Sequence, residues 1–165
     1  FVKRNEFHLV DPLKIEERMA ELHSFTAFNP TIKSAFDMAL YDIAAKEAEI
    51  PLYKFLNGAK KEIETDLTIG IDTPHNMAAT AAEYKNKGVR IIKIKLGKNG
   101  KEDIERVRQI RLAAGNDMLL RIDANQGWTV DTAITTLNAL STFEIEHCEE
   151  PIARWNYMEL PKKAF

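Results

Sequence analysis

Cysteine is almost missing from this chain. Cys148 stands alone among 165 residues, so no internal disulfide can form, and a reducing cytoplasm is the expected setting. No apolar run reaches the roughly 18 residues of a membrane span, so no membrane partner is expected. Neither sign of charge dominates: 23 Lys and Arg against 25 Asp and Glu leave a net charge of -2, and the basic residues alternate with acids along the chain. That balance lacks the basic surplus of a nucleic-acid binder. The loop Gly97-Lys98-Asn99-Gly100 has neither dinucleotide nor Walker spacing, so no nucleotide site is expected. The opening Phe1-Val2-Lys3-Arg4-Asn5-Glu6 is neither a signal peptide nor a methionine start, and the chain is expected to begin inside a longer protein.

What is present is the composition of a globular protein, 45% hydrophobic and 29% charged. The first third reads as helices. Asp11 to His23 is a charged, peripheral one, with Ile15, Met19 and Leu22 at helical spacing. Thr31 is a candidate N-cap for a helix to about Glu49, whose apolar residues (Ile32, Phe36, Met38, Leu40, Ile43) cover more than one face and predict burial. Pro51 opens a short turn that Asn57-Gly58 closes. The exposed seam Lys60-Lys61-Glu62 sets the expected boundary, giving domains 1–58 and 59–165.

Beyond the seam, strand and helix alternate. Strands are predicted over Asp66–Ile71, Val89–Leu96, Met118–Asp123 and Ile145–Glu149. Helices follow each: Thr73-Pro74 to Gly88, residues 102–114, about Thr129 to Leu140, and a last helical region starting in the tail. Four βα units imply a parallel sheet covered by helices, either an open flavodoxin-like sheet or part of a (β/α) TIM-type barrel. The stretch Ile91-Ile92-Lys93-Ile94-Lys95-Leu96 favours the barrel. Alternation puts Ile92, Ile94 and Leu96 on one face and two lysines about 7 Å apart on the other. A barrel lumen gives those charges a mouth to face. A barrel takes about 250 residues, so the chain holds about half of one.

Three successive strand ends carry polar chemistry: Lys93-Ile94-Lys95, Asp123-Ala124-Asn125-Gln126-Gly127-Trp128 and Cys148-Glu149-Glu150-Pro151. Carboxylates on neighbouring strands are half of an oxygen-ligand set for a hard cation such as Mg²⁺. Neighbouring lysines lower each other's proton affinity, which makes one of them a candidate base. Solvated strand ends and ordinary loop chemistry are the plain alternative. His147 shares the parity of Glu149 and is expected to be a hydrogen-bonded interior histidine. Cys148 is expected to be a small buried hydrophobe. Trp128 either walls the mouth or packs under its loop.

These motifs, with Ser34-Ala35-Phe36-Asp37-Met38-Ala39-Leu40-Tyr41-Asp42-Ile43-Ala44-Ala45-Lys46 and Thr68-Ile69-Gly70, give the chain its resemblance to the enolase superfamily. Within it the chain resembles the muconate lactonizing enzyme subgroup, most of all its dipeptide epimerases. The resemblance implies an α+β capping domain, here a helical remnant, ahead of a partial barrel. It implies a Mg²⁺-dependent isomerase that abstracts the proton α to a carboxylate, with a dipeptide such as Ala-Glu as the small-molecule substrate. Lys95 is then the base, and Lys93 its partner near the substrate carboxylate. Asp123 and Glu149 are metal ligands, Thr68 contacts substrate, and Asn125 orients the ligands from behind. Glu150 stands where many members have Gln and is not counted as a ligand. o-Succinylbenzoate synthase, N-acylamino acid racemase and muconate-type cycloisomerase share these motifs. A homo-oligomer stays open, as does a non-catalytic flavodoxin-like domain. The family's third metal ligand and second catalytic lysine belong to later strands, so this chain by itself is expected to bind Mg²⁺ poorly and to be inactive.

Overall fold

The computed structural model describes residues 11–163, with side chains through Leu160. The chain divides into two compact units, 1–63 and 64–165. In the first, α1 (Ile15–Phe25), α2 (Pro30–Glu47) and the single turn α3 (Leu52–Phe55) follow one another. Helix α1 starts later than Asp11 because Asp11 Oδ1 accepts the Leu13 N–H at 2.9 Å, closing a turn before the helix. Helix α2 is started by Pro30, whose fixed φ suits the first helical position, with Asn29 before it at φ 64°. Thr31 is therefore inside the helix and is not its cap. The burial predicted for α2 is also corrected. Leu40, Ala44 and Ala45 form one buried stripe, while Ile32 (56%), Met38 (61%) and Ile43 (42%) are exposed. After α3 the left-handed residue is Asn57, at φ 59°, and the Gly58 N–H returns to Tyr53 O at 2.6 Å.

The second unit is built from three βα units and a fourth strand: β1 (Leu67–Ile69), α4 (Pro74–Asn86), β2 (Ile91–Lys95), α5 (Gly100–Ala114), β3 (Leu119–Asp123), α6 (Val130–Leu140) and β4 (Ile145–Glu149). A 3₁₀ turn at Ser141–Phe143 precedes β4, and a 3₁₀ stretch over Arg154–Lys163, interrupted at Asn156, stands where the last helical region was expected. Strands β1, β2 and β3 are shorter than the apolar pattern suggests, while β4 has the expected bounds. Bonds of ladder type still run past their ends, from Leu119 N–H to Arg90 O and from Leu96 N–H to Asp123 O, each at 2.9 Å. Side-chain caps define the helix starts: Thr73 for α4, Asn99 for α5 and Thr129 for α6 each accept from the first turn.

The sheet is parallel throughout, in the order β1-β2-β3-β4. A flavodoxin-like sheet reverses its strand order at a switch point; consecutive order with right-handed crossovers instead puts every helix on one face. Helices α4, α5 and α6 accordingly pack side by side. Ile92, Ile94, Leu120 and Ile122 meet Met77, Val107, Ile110, Ala133 and Leu140 in one core, all at 1% exposure or less. The opposite face carries Thr68, Lys93, Lys95, Arg121, Asp123, His147 and Glu149. The fold is α/β, a four-stranded portion of a (β/α) barrel, and the charged face is the lumen side. The register slips between Leu120 and Arg121, whose partners are Ile145 and His147, so Glu146 is an extra residue in β4.

Candidate active site

At the C-terminal ends of β2, β3 and β4 the ladder sets Lys95 beside Asp123 and Asp123 beside Glu149. Their side chains converge. Lys95 Nζ donates to Asp123 Oδ2 at 2.7 Å and to Asn125 Oδ1 at 3.0 Å. Lys93 Nζ reaches the same Asp123 Oδ2 at 3.1 Å and donates to Glu149 Oε2. Asp123 is 1% exposed, so its charge depends on these partners. Burial pushes its carboxyl up, but the hydrogen bonds from Lys95, the Asn125 N–H and Lys93 outweigh burial and hold it below the ordinary carboxylate value. Lys93 is raised, first by its hydrogen bond to Glu149 and then by that to Asp123. The expected mutual lowering of the two lysines is therefore corrected for Lys93: two carboxylates outweigh the neighbouring ammonium.

The loop after β3 is held rigidly. Asn125 and Gln126 are both left-handed, at φ 46° and 62°, and so is Glu150 at 43°. Each is fastened: Asn125 N–H to Asp123 Oδ1 at 2.9 Å, Gln126 N–H to Glu150 O at 2.7 Å, and Gln126 Nε2 to Glu150 Oε1 at 3.0 Å. Thr68 is exposed on β1 opposite Lys93, and its carbonyl accepts from Tyr84 OH at 3.5 Å.

Two histidine and tryptophan expectations have definite outcomes. The His147 side chain is 52% exposed, with its Nδ1 3.8 Å from Glu146 Oε2, so the expected interior histidine is corrected. Bulging of β4 brings Glu146 around to that side. Trp128 is 4% exposed and packs under its loop, with Nε1 donating to Asp103 Oδ2 at 2.8 Å. Cys148 is partly buried against the core, and burial, then the charges of Asp123 and Glu149, push its thiol up to about 12.

One cluster on this face escaped the sequence reading. Arg121, one step below Asp123, donates to Asp66 Oδ2 at 3.0 Å and to Glu146 Oε2 at 2.5 Å. Strand parity could have placed Arg121 and Asp66 there, but the bulge hid Glu146.

The two carboxylates offer hard oxygen donors to one point, since Lys93 Nζ binds both. That suits an oxygen-preferring divalent cation, with its other ligands from water, substrate or other groups. Among the described residues no three His, Cys, Asp or Glu gather in a metal-binding group, so this chain supplies a partial set.

A parallel half-barrel with paired lysines and carboxylates at the C-terminal ends of its strands has the layout of a (β/α) barrel's active-site mouth. Residues 76–163 match the enolase C-terminal domain-like family, and residues 8–57 match the mandelate racemase / muconate lactonizing enzyme N-terminal domain. The chain belongs to this family. It is 56% identical over 135 residues to the D-Ala-D/L-Ala epimerase of Cytophaga hutchinsonii, covering 81% of this chain and 37% of that protein. To the hydrophobic dipeptide epimerase of Enterococcus faecalis it is 41% identical over 145 residues, 88% of this chain and 41% of the other. Among solved structures, the Cytophaga hutchinsonii dipeptide epimerase complexed with Mg and D-Ala-L-Val superposes with a TM-score of 0.87 at 50% identity, covering 93% of this chain and 42% of that one. The chain thus spans about two fifths of the length of these relatives.

Proposed function

We propose that this chain supplies residues 1–58 of a capping domain and linker, and residues 59–165 as the first half-barrel, to a Mg²⁺-dependent epimerase of dipeptides acting in the cytoplasm. The observation that carries this reading is the shared oxygen: both ammonium groups meet at Asp123 Oδ2, and Lys93 also meets Glu149. In this reading Asp123 and Glu149 hold the cation, which when bound supplies the positive charge that makes a carboxylate's α-proton removable. Lys95 takes that proton. It does so as the neutral amine, whose two N–H groups point at Asp123 and Asn125 and whose lone pair is left for the substrate's α-proton. Lys93 steers the substrate carboxylate, Thr68 contacts the substrate further along the same row, and Asn125 fixes where Lys95 points. The names of the relatives support dipeptides as the class, with alanyl dipeptides, Ala-Glu included, as first candidates.

The test is exchange of the α-proton for deuterium in heavy water by the intact protein with Mg²⁺, over Ala-Glu, Ala-Ala and hydrophobic dipeptides. Exchange on at least one dipeptide is expected, with Lys95→Ala abolishing it. A magnesium-loaded, folded protein that exchanges none of them overturns the proposal.

A further inference from the structure

Resting on that reading, we propose that Asp103 is a positioning residue, the buried anchor that holds the Lys95-bearing and Asp123-bearing strand ends together. Asp103 lies in the first turn of α5 and is fully buried, with 0% exposure. Its carboxylate gathers groups from two loops. Oδ2 accepts the Gly97 N–H at 3.0 Å and Trp128 Nε1 at 2.8 Å, while Oδ1 accepts from Arg106 at 2.8 Å. Arg106, itself 4% exposed, neutralises the carboxylate and donates through Nε to Asp72 O at 2.8 Å. One carboxylate and its arginine thus fasten the chain just beyond β1, β2 and β3.

The fastening points are close in sequence to the reacting groups. Gly97 follows Lys95 by two residues, and Trp128 follows Asn125 by three. The two loops also touch backbone to backbone. A Cβ on Gly97, at φ 103°, would lie 2.0 Å from Ala124 O, and one on Gly127 would lie 2.1 Å from Gly97 O. No slack remains between them, so a displacement at Gly97 or Trp128 reaches Lys95 or Asp123 directly. A buried carboxylate receiving N–H donors is also the costliest kind of group to replace, because its neighbours are left unpaired. Asp103→Asn keeps one acceptor oxygen, so its NH₂ meets either the Gly97 and Trp128 donors or the Arg106 guanidinium, and the charge that held all three is gone.

Competitive acetylation of lysines, read by mass spectrometry at one fixed pH, tests this on the intact protein without substrate. In Asp103→Asn, Lys95 should label about tenfold faster, as expected for losing one charge-assisted hydrogen bond. Lys46, exposed on α2, should label as before. Trp128→Phe removes one of the three donors and should give a smaller rise; if Asp103→Asn does not fold, this variant alone decides. An unchanged Lys95 rate in a folded variant overturns the proposal and makes Asp103 a structural staple. Where the unaltered protein exchanges α-protons, kcat should fall with KM kept; a KM effect with kcat intact counts against positioning. Absence of exchange in the unaltered protein sinks the functional reading and leaves the labelling result to judge Asp103.

Discussion

The two units of this chain bury apolar surface in opposite styles. In unit 64–165 the helix-facing side chains of four strands and three helices close into one core. In unit 1–63, Leu22, Leu40, Ala44 and Ala45 make a thin buried stripe, while Phe25, Phe28, Ile32, Met38 and Ile43 lie 42–80% exposed among the described residues. Hydrophobic stabilisation follows the area removed from water, so the same kind of residue contributes very differently in the two units. The barrel portion also carries left-handed backbone and a buried carboxylate at its C-terminal rim, where Asp123, Asn125, Gln126 and Glu150 sit, as well as left-handed Glu144 and buried Arg111 at the other end. A well-packed core is what lets that rim hold such costly groups in place.

The largest effect should come from breaking the deeper core. Ile122→Ala, at a fully buried position in the middle of the sheet, is expected to cost about 4 kcal/mol in urea unfolding. Met38→Ala, at 61% exposure in α2, should leave the midpoint unchanged within error. Equal losses would abolish the contrast between the units. Next, Asp123→Ala removes the oxygen that two ammonium groups share, and should cost about 2 kcal/mol and all measurable α-proton exchange.

A pH series sharpens the same comparison. The folded pKa of Asp123 is depressed, so its contribution is complete above the unfolded value of about 3.9 and is lost as pH falls through the folded value. Lys93 is raised, so its contribution is complete below about 10.4 and disappears as pH climbs through its folded value. Acid and alkaline losses should therefore appear in the unit 64–165 transition, and Asp123→Asn should flatten the acid arm; an unaltered acid arm would assign it to other carboxylates. The smallest effect concerns Cys148. With its thiol pushed up to about 12, it should react with a thiol reagent at pH 8 far more slowly than an unfolded control, and an equal rate would contradict its partial burial.

Much of this was legible in the residues. Alternation in Ile91–Leu96 separates core from lumen correctly, because a strand covered by helices on one face and lined with lysines on the other has no other way to lie. Placing Lys93, Lys95, Asp123 and Glu149 on one face also needed only parity and strand order. Three things were hidden. Exposure along α2 depends on what packs against it, which its apolar composition cannot report. The direction of the Lys93 shift depends on carboxylates contributed by two other strands. Asp103, in a helical first turn, looks like routine charge on a helix dipole, and its partners Gly97 and Trp128 come from loops whose approach only the fold reveals.

The extra residue in β4 has a practical consequence for anyone reshaping this mouth. Ile145 and Cys148 both pack on the core although three positions separate them, while Glu146, His147 and Glu149 belong to the other side. A mutant library that varied every second residue of this strand would scramble the core at one end and the mouth at the other. Deleting Glu146 would restore even alternation, with Ile145 and Cys148 on the core face and His147 and Glu149 on the charged one. The counting frame for redesign has to change at that residue.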